Sequence, residues 1–158
     1  MSRWSYTMQS FAFKTRIFAL LKPQKTVVRI IERSVYTDRN VFAYNCYMSG
    51  LMTQLEWKIY TDWFQLMLSL REVKRAVKAD GYIYLKASPK TSFKRIKERG
   101  RIEESNIKLK YLDRLSNLHD KMMNNTKTPV LILDCDIDFE HDSIAREEMM
   151  QKFLTFIK

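Results

Sequence analysis

The chain has 158 residues, 46% of them hydrophobic and 29% charged, with a formal net charge of +10. That length supports one domain with a real core, and the excess of Lys and Arg implies a polyanionic partner without choosing between nucleic acid, a membrane surface and a nucleotide phosphate. Cys46 and Cys135 show neither C-x-x-C spacing nor a secretory signal, so reduced intracellular thiols are expected rather than a disulfide scaffold or a cysteine metal site, and Lys or Arg interrupts every apolar stretch short of the ~20 residues of a membrane span, so a soluble protein is expected.

From Arg3 to Leu21, Trp4, Met8, Phe11, Thr15, Phe18 and Leu21 recur at spacings of three or four, which predicts a helix ended by Pro23. The stripe Trp4, Phe11 and Phe18 reads as core. The β-branched run Val27 to Ile31 predicts the first strand, with Glu32-Arg33-Ser34 at its C-terminal end, where open parallel sheets place their ligands. Val35 to Tyr47 and Glu56 to Val77 read as two helices, broken near Ser49-Gly50, with Thr53 as cap. Trp57 and Trp63 on the second read as core or dimer interface.

Gly81 to Leu85 predicts a second strand. Ser88 then caps a helix with Pro89 at its first position, and Gly100 stops it. Ile107 to Met123 reads as an amphipathic helix, Pro129 to Leu133 as a third strand and Ser143 to Ile157 as a closing helix. This order predicts a three-layer α/β protein with a parallel sheet. Three parallel strands make a small sheet, and the aromatic residues almost all round the first helix anticipate further structure packing on it.

Two clusters carry chemistry. Glu32-Arg33-Ser34 stands at a strand end. Farther on, Lys86, Lys90, Lys94, Arg95, Lys97, Arg99 and Arg101 face the single acid Glu98, before Glu103 and Glu104. Arg95 and Arg99 are i, i+4 and share a helix face. Fixed guanidinium charge with carboxylates nearby suits phosphoryl transfer. A structural ion pair and a solvated helix face are the bland alternatives for the two clusters. The three glycines, Gly50, Gly81 and Gly100, leave no room for a G-x-x-x-x-G-K-[ST] phosphate loop in this sequence. His119 and His141 lack metal-ligand spacing and read as surface or local hydrogen-bonding residues.

The ordered segments Arg3-Trp4-Ser5-Tyr6-Thr7-Met8-Gln9, Glu32-Arg33-Ser34-Val35-Tyr36-Thr37-Asp38-Arg39, Gly81 to Pro89, and Arg99-Gly100-Arg101-Ile102-Glu103-Glu104 with Lys110-Tyr111-Leu112 resemble the deoxyribonucleoside kinases. The resemblance covers essentially the whole chain, and Asp38 places it nearest the deoxycytidine and deoxyguanosine kinases. It implies a P-loop kinase-like fold over residues 1–158 with a lid segment at 95–107. The implied activity moves the γ-phosphoryl of ATP or UTP, with Mg²⁺, to the 5′-hydroxyl of a deoxyribonucleoside, deoxycytidine or a deoxypurine being favoured.

Residue by residue, the resemblance gives Gln9 the base edge, Asp38 an exocyclic amino group, Phe42 the face of the base, and Arg16 a place in the same pocket. Glu32 matches a carboxylate near Mg²⁺, indirectly placed, and Arg33 an arginine that orients the 5′-oxygen. Arg95, Arg99 and Arg101 match lid arginines, Glu104 a carboxylate on the sugar 3′-hydroxyl, and Asp138-Phe139 the loop flanking the donor's adenine. Met8 stands where the family often has Phe, and Met122-Met123 where it often has Trp.

The family's opening strands, phosphate loop and catalytic carboxylate have no counterpart here, so an N-terminally truncated chain without its nucleotide anchor or general base is expected. An inactive relative that dimerises with an intact kinase is the alternative, since the family pairs through helices matching 35–77. A basic nucleic-acid-binding module is a third reading, resting on charge alone. A cytoplasmic location is expected, or a mitochondrial one if a longer N-terminus exists.

Overall fold

Lys22, caught between a helix and Pro23, takes the extended dihedrals that a following proline imposes (φ −63°, ψ 141°) and ends helix α1, Ser5–Leu21. The structure is a computed structural model that describes residues 2–158. It divides into two units, one ending at Lys78 and the other spanning Ala79–Lys158. Among the described residues, no helix is long and apolar enough to cross a membrane.

In the first unit, α1 buries Phe13, Ile17 and Leu20, spaced i, i+4, i+7. Phe13 stacks on Phe64 with ring centroids 5.2 Å apart and meets Tyr60 at 6.0 Å. The expected core stripe is therefore corrected: Trp4, Phe11 and Phe18 are 60%, 57% and 62% exposed. A helix apolar almost all round can present one stripe to its partners, and the stripe through Phe13 is the one that meets them.

The expected strand at Val27 to Ile31 is also absent, and Val27 is 99% exposed. A β-branched run becomes a strand when a neighbour completes its ladder, and the sheet here is two-stranded without it. Side chains tie this segment instead: Arg29 donates to the carbonyls of Leu20 (2.9 Å) and Lys22 (2.7 Å).

Helix α2 (Val35–Thr37), a π-helical stretch (Asp38–Ala43) and α3 (Tyr44–Met48) form one continuous helical run. Ser34 opens it, its hydroxyl accepting from the Thr37 N–H at 3.1 Å. Thr53 and Glu56 close a reciprocal capping box at the start of α4 (Gln54–Ser69). The helix expected to continue to Val77 breaks at Leu70 and resumes as α5 (Arg71–Ala76). The Ser69 hydroxyl donates to the Leu66 carbonyl at 2.7 Å, which competes with the backbone ladder at that point. Val35, Ala43, Tyr60, Phe64 and Val73 complete the core of this unit.

The second unit is built on two parallel strands, β1 (Tyr82–Lys86) and β2 (Val130–Asp134), in register from Tyr82 opposite Val130 to Lys86 opposite Asp134. Helix α6 (Pro89–Arg99) starts as expected, Ser88 accepting from the Thr91 N–H, and stops at Gly100 in the left-handed conformation (φ 65°). Helix α7 (Leu109–Asn125) returns along α6, and Asp120 ties it to β1 through Tyr84 (3.1 Å) and Lys86 (2.9 Å). Helix α8 (Ser143–Phe156) is capped by Asp142. In the turn before it, the His141 ring pairs with Asp138 at 3.0 Å.

Gly81 is required by contact. A Cβ there would stand 2.8 Å from two ring atoms of Phe156. Gly81→Ala should lower stability by about 1–2 kcal/mol, read by urea denaturation, and a second change, Phe156→Leu, should recover part of it. The hydrogen bond that the Asp138 carboxylate accepts, then its charge, raises the pKa of His141 above its ordinary value. The stability this clasp contributes is complete below the unfolded-state pKa of ~6.5 and is lost as pH rises through the folded value. NMR titration should show His141 titrating above its ordinary value, and Asp138→Asn should bring it down.

Candidate functional site

Arg33 is the one non-glycine residue with positive φ among the described residues (63°). That conformation costs an L-residue about 1–3 kcal/mol and persists when its surroundings over-determine it. Here they do. On one side Ser34 is committed as the cap of α2. On the other, Arg16 reaches from α1, its Nη1 donating to the carbonyls of Glu32 (2.5 Å) and Arg33 (3.5 Å). The Arg33 guanidinium lies over the Phe42 ring, 4.2 Å from its centroid.

The same Arg16 forks onto Asp38, Nε to Oδ2 at 2.6 Å and Nη2 to Oδ1 at 3.3 Å. Asp38 is 3% exposed, and the Arg16 guanidinium is the partner that this buried carboxylate meets. Asp38 and Phe42 both lie in the π-helical stretch, a distortion frequent at functional sites. Gln9, half-buried, sits two turns before Arg16 on the same side of α1. The first unit thus brings Arg16, Glu32, Arg33, Asp38 and Phe42 together. Glu32 stays largely in solvent, with its carboxylate 3.9 Å from the Arg33 Nε.

Two further residues border this cluster: Tyr60, to which sequence reasoning gave no role, and Arg39, which it placed in a motif without a role. Tyr60 is 2% exposed and its hydroxyl has no hydrogen-bond partner among the described residues. Burial first, then the charge of Asp38, pushes its phenol well above the usual range. Arg39 lies over the rings of Phe64 (5.3 Å) and Trp57 (5.7 Å) and donates to Asn40 at 2.9 Å. The helical period marks Tyr60 as a core position, and nothing local announces the charge beside it.

The second unit holds the other cluster. The Arg99 guanidinium forks onto Glu104, Nη2 to Oε1 at 2.8 Å and Nε to Oε2 at 3.1 Å, while Arg101 stands 4.0 Å from the same carboxylate. Arg95 turns instead toward the β2–α8 loop, where its Nη2 donates to the Ile137 carbonyl at 3.5 Å. Asp138 and Phe139 follow in that loop, Asp138 exposed and Phe139 half-buried. Among the described residues no group of three or more His, Cys, Asp or Glu could hold a metal ion.

The model of the deoxynucleoside kinase family matches residues 1–158. The chain is 35% identical over 173 residues to deoxycytidine kinase 2 of Gallus gallus, covering 99% of the chain and 64% of that protein. It is 36% identical to the mitochondrial deoxyguanosine kinase of Xenopus laevis (98% and 64%) and 38% identical to the deoxycytidine kinase of Mus musculus (97% and 65%). The chain therefore spans a little under two thirds of the length of these relatives. With helices around a small parallel sheet, as a P-loop kinase-like fold requires, the chain belongs to the deoxynucleoside kinase family.

Proposed function

We propose that residues 1–158 belong to one kinase-like domain, with a lid at 95–107, that transfers the γ-phosphoryl of ATP or UTP to the 5′-hydroxyl of a deoxyribonucleoside. The observation that carries this reading is the Arg16–Asp38 fork. A carboxylate oxygen offers two lone pairs, so Asp38 can hold Arg16 and still accept from an amino group. Cytosine and adenine present such a donor, whereas thymine presents a carbonyl that a carboxylate repels. This favours deoxycytidine or a deoxypurine. Gln9, with a donor and an acceptor on one amide, takes the base edge, and Phe42 packs on its face.

Arg33, set by its strained turn, orients the 5′-oxygen. Arg95, Arg99 and Arg101 supply fixed charge to oxygens on which negative charge develops in transfer. Glu104 takes the sugar 3′-hydroxyl, and Asp138 and Phe139 flank the base of the donor. Mg²⁺, which neutralises phosphate charge in this chemistry, fits Glu32 as a single exposed carboxylate, because that ion is held chiefly by water and substrate phosphates rather than by a protein cage.

A second reading, pairing with another copy or with an intact kinase, is favoured by α4. Leu55, Ile59, Trp63, Leu66 and Leu70 form a stripe along α4 and its C-cap and are 37–68% exposed. We place a dimer contact there, within helices 35–77.

Calorimetric titration with deoxycytidine tests the pocket of the primary reading, and dimerisation without deoxycytidine binding would favour the second. Asp38→Ala alone leaves Arg16 charged and unpaired and should cost about 3 kcal/mol of stability. The double change Arg16→Met with Asp38→Ala should fold, lose about tenfold or more in deoxycytidine affinity by calorimetry, and bind thymidine comparatively better. If deoxycytidine stays the best ligand, the pocket is wrongly placed. Sedimentation equilibrium should give a dimer for the native chain and a monomer for Trp63→Glu; an unchanged mass would reject the α4 contact.

A further inference from the structure

The β2–α8 loop is fastened to the β1–α6 segment through three successive residues. The Cys135 N–H donates to the Lys86 carbonyl at 2.7 Å. An Asp136 carboxylate oxygen accepts from the Ser88 N–H at 2.8 Å. The Ile137 carbonyl accepts from Arg95 at 3.5 Å. Residues 135, 136 and 137 thus meet 86, 88 and 95 in order, and Asp138 and Phe139 leave the anchored stretch at a fixed offset from Arg95. Arg99 is one helical turn farther along α6.

In this set Cys135 and Ile137 contribute backbone atoms. Asp136 contributes the side chain that reaches α6, and a negative group is favoured at that helix N-terminus. Its own N–H is fixed by Asp134 Oδ1 at 2.9 Å, so the carboxylate is aimed before α6 is met. Ser88 and Thr91 are engaged with each other as the cap of the same helix, 2.9 Å between hydroxyls. The loop and the helix that bears Arg95 and Arg99 are therefore built as one piece.

We propose that Asp136 is a positioning residue for the phosphoryl donor, setting the loop of Asp138 and Phe139 in register with the lid helix. The proposal rests on the donor-site reading given above, and deepens it. Asp136 touches no reacting group; it acts by keeping the surface for the donor's base at a constant distance from the arginines that meet its phosphates. A purely structural role for Asp136 predicts something else, a loss shared by both substrates.

The test is calorimetric titration of the full chain with MgATP and, separately, with deoxycytidine, comparing the native sequence with Asp136→Ala, Asp136→Asn and Arg99→Ala. Asp136→Ala should weaken MgATP about tenfold, the scale of one charge-assisted hydrogen bond, and leave deoxycytidine within about twofold. Asp136→Asn keeps an acceptor for the Ser88 N–H and should restore most of the loss. If Arg99→Ala weakens MgATP and Asp136→Ala does not, the proposal is overturned while the donor-site reading stands. Should both ligands weaken in parallel in Asp136→Ala, the residue is structural and the proposal fails. If the native chain does not bind MgATP, or if both alanine variants bind it as the native chain does, the donor-site reading falls and takes the proposal with it.

Discussion

Arg16 is the residue on which the first unit's chemistry depends. One guanidinium forks onto a buried carboxylate and at the same time holds the carbonyls of the turn that carries Arg33. Arginine alone among the side chains supplies enough donors, in a rigid plane, to do both. A lysine at position 16 could neutralise Asp38 and would still leave the turn unsupported. The positive φ at Arg33 is stable because α1, through Arg16, and α2, through Ser34, fix the chain on both sides of it.

The second unit manages its positive charge by self-pairing. Arg99 is held by Glu104, with Arg101 near, in surroundings open enough that the attraction is modest. Such a pair keeps the arginines oriented and is cheap to exchange. In the function proposed above, a polyphosphate with more charge than one carboxylate takes Arg99 over and frees Glu104 for a neutral hydroxyl donor. The same two residues can in this way serve both ordering and binding.

Local signals in the sequence were legible because their causes are local. Thr53 with Glu56, Ser88 before Pro89, and Gly100 after Arg99 each satisfy backbone groups within a few residues, and the structure forms all three. Val27 to Ile31 failed for the opposite reason: a strand is a statement about a neighbour, and β-branched residues specify none. The aromatic stripe of α1 failed likewise, because a helix apolar on several sides does not say which side meets a partner. At the site, motif order singled out Arg33 and Asp38, and helical spacing from Gln9 added Arg16, but nothing indicated that Arg33 would be left-handed, a conformation that arginine composition does not advertise. Tyr60 was legible as a core position but not as a neighbour of charge, and Asp136 had no signal; what marks both is the distance to residues far away in sequence.

The π-helical stretch has a consequence for how this region tolerates change. Asp38–Ala43 holds one residue more than an α-helix of the same rise would need. Losing a single residue between Asp38 and Phe42 would let the run relax to regular geometry with little turn of its flanks, but it would shift these two side chains relative to each other around the axis, since each residue of an α-helix carries about 100°. Asp38 and Phe42 would then no longer face Arg16 and Arg33 together, although every helix would still form. Chain length between positions 37 and 44 is thus as much a determinant of this cluster as the side chains within it.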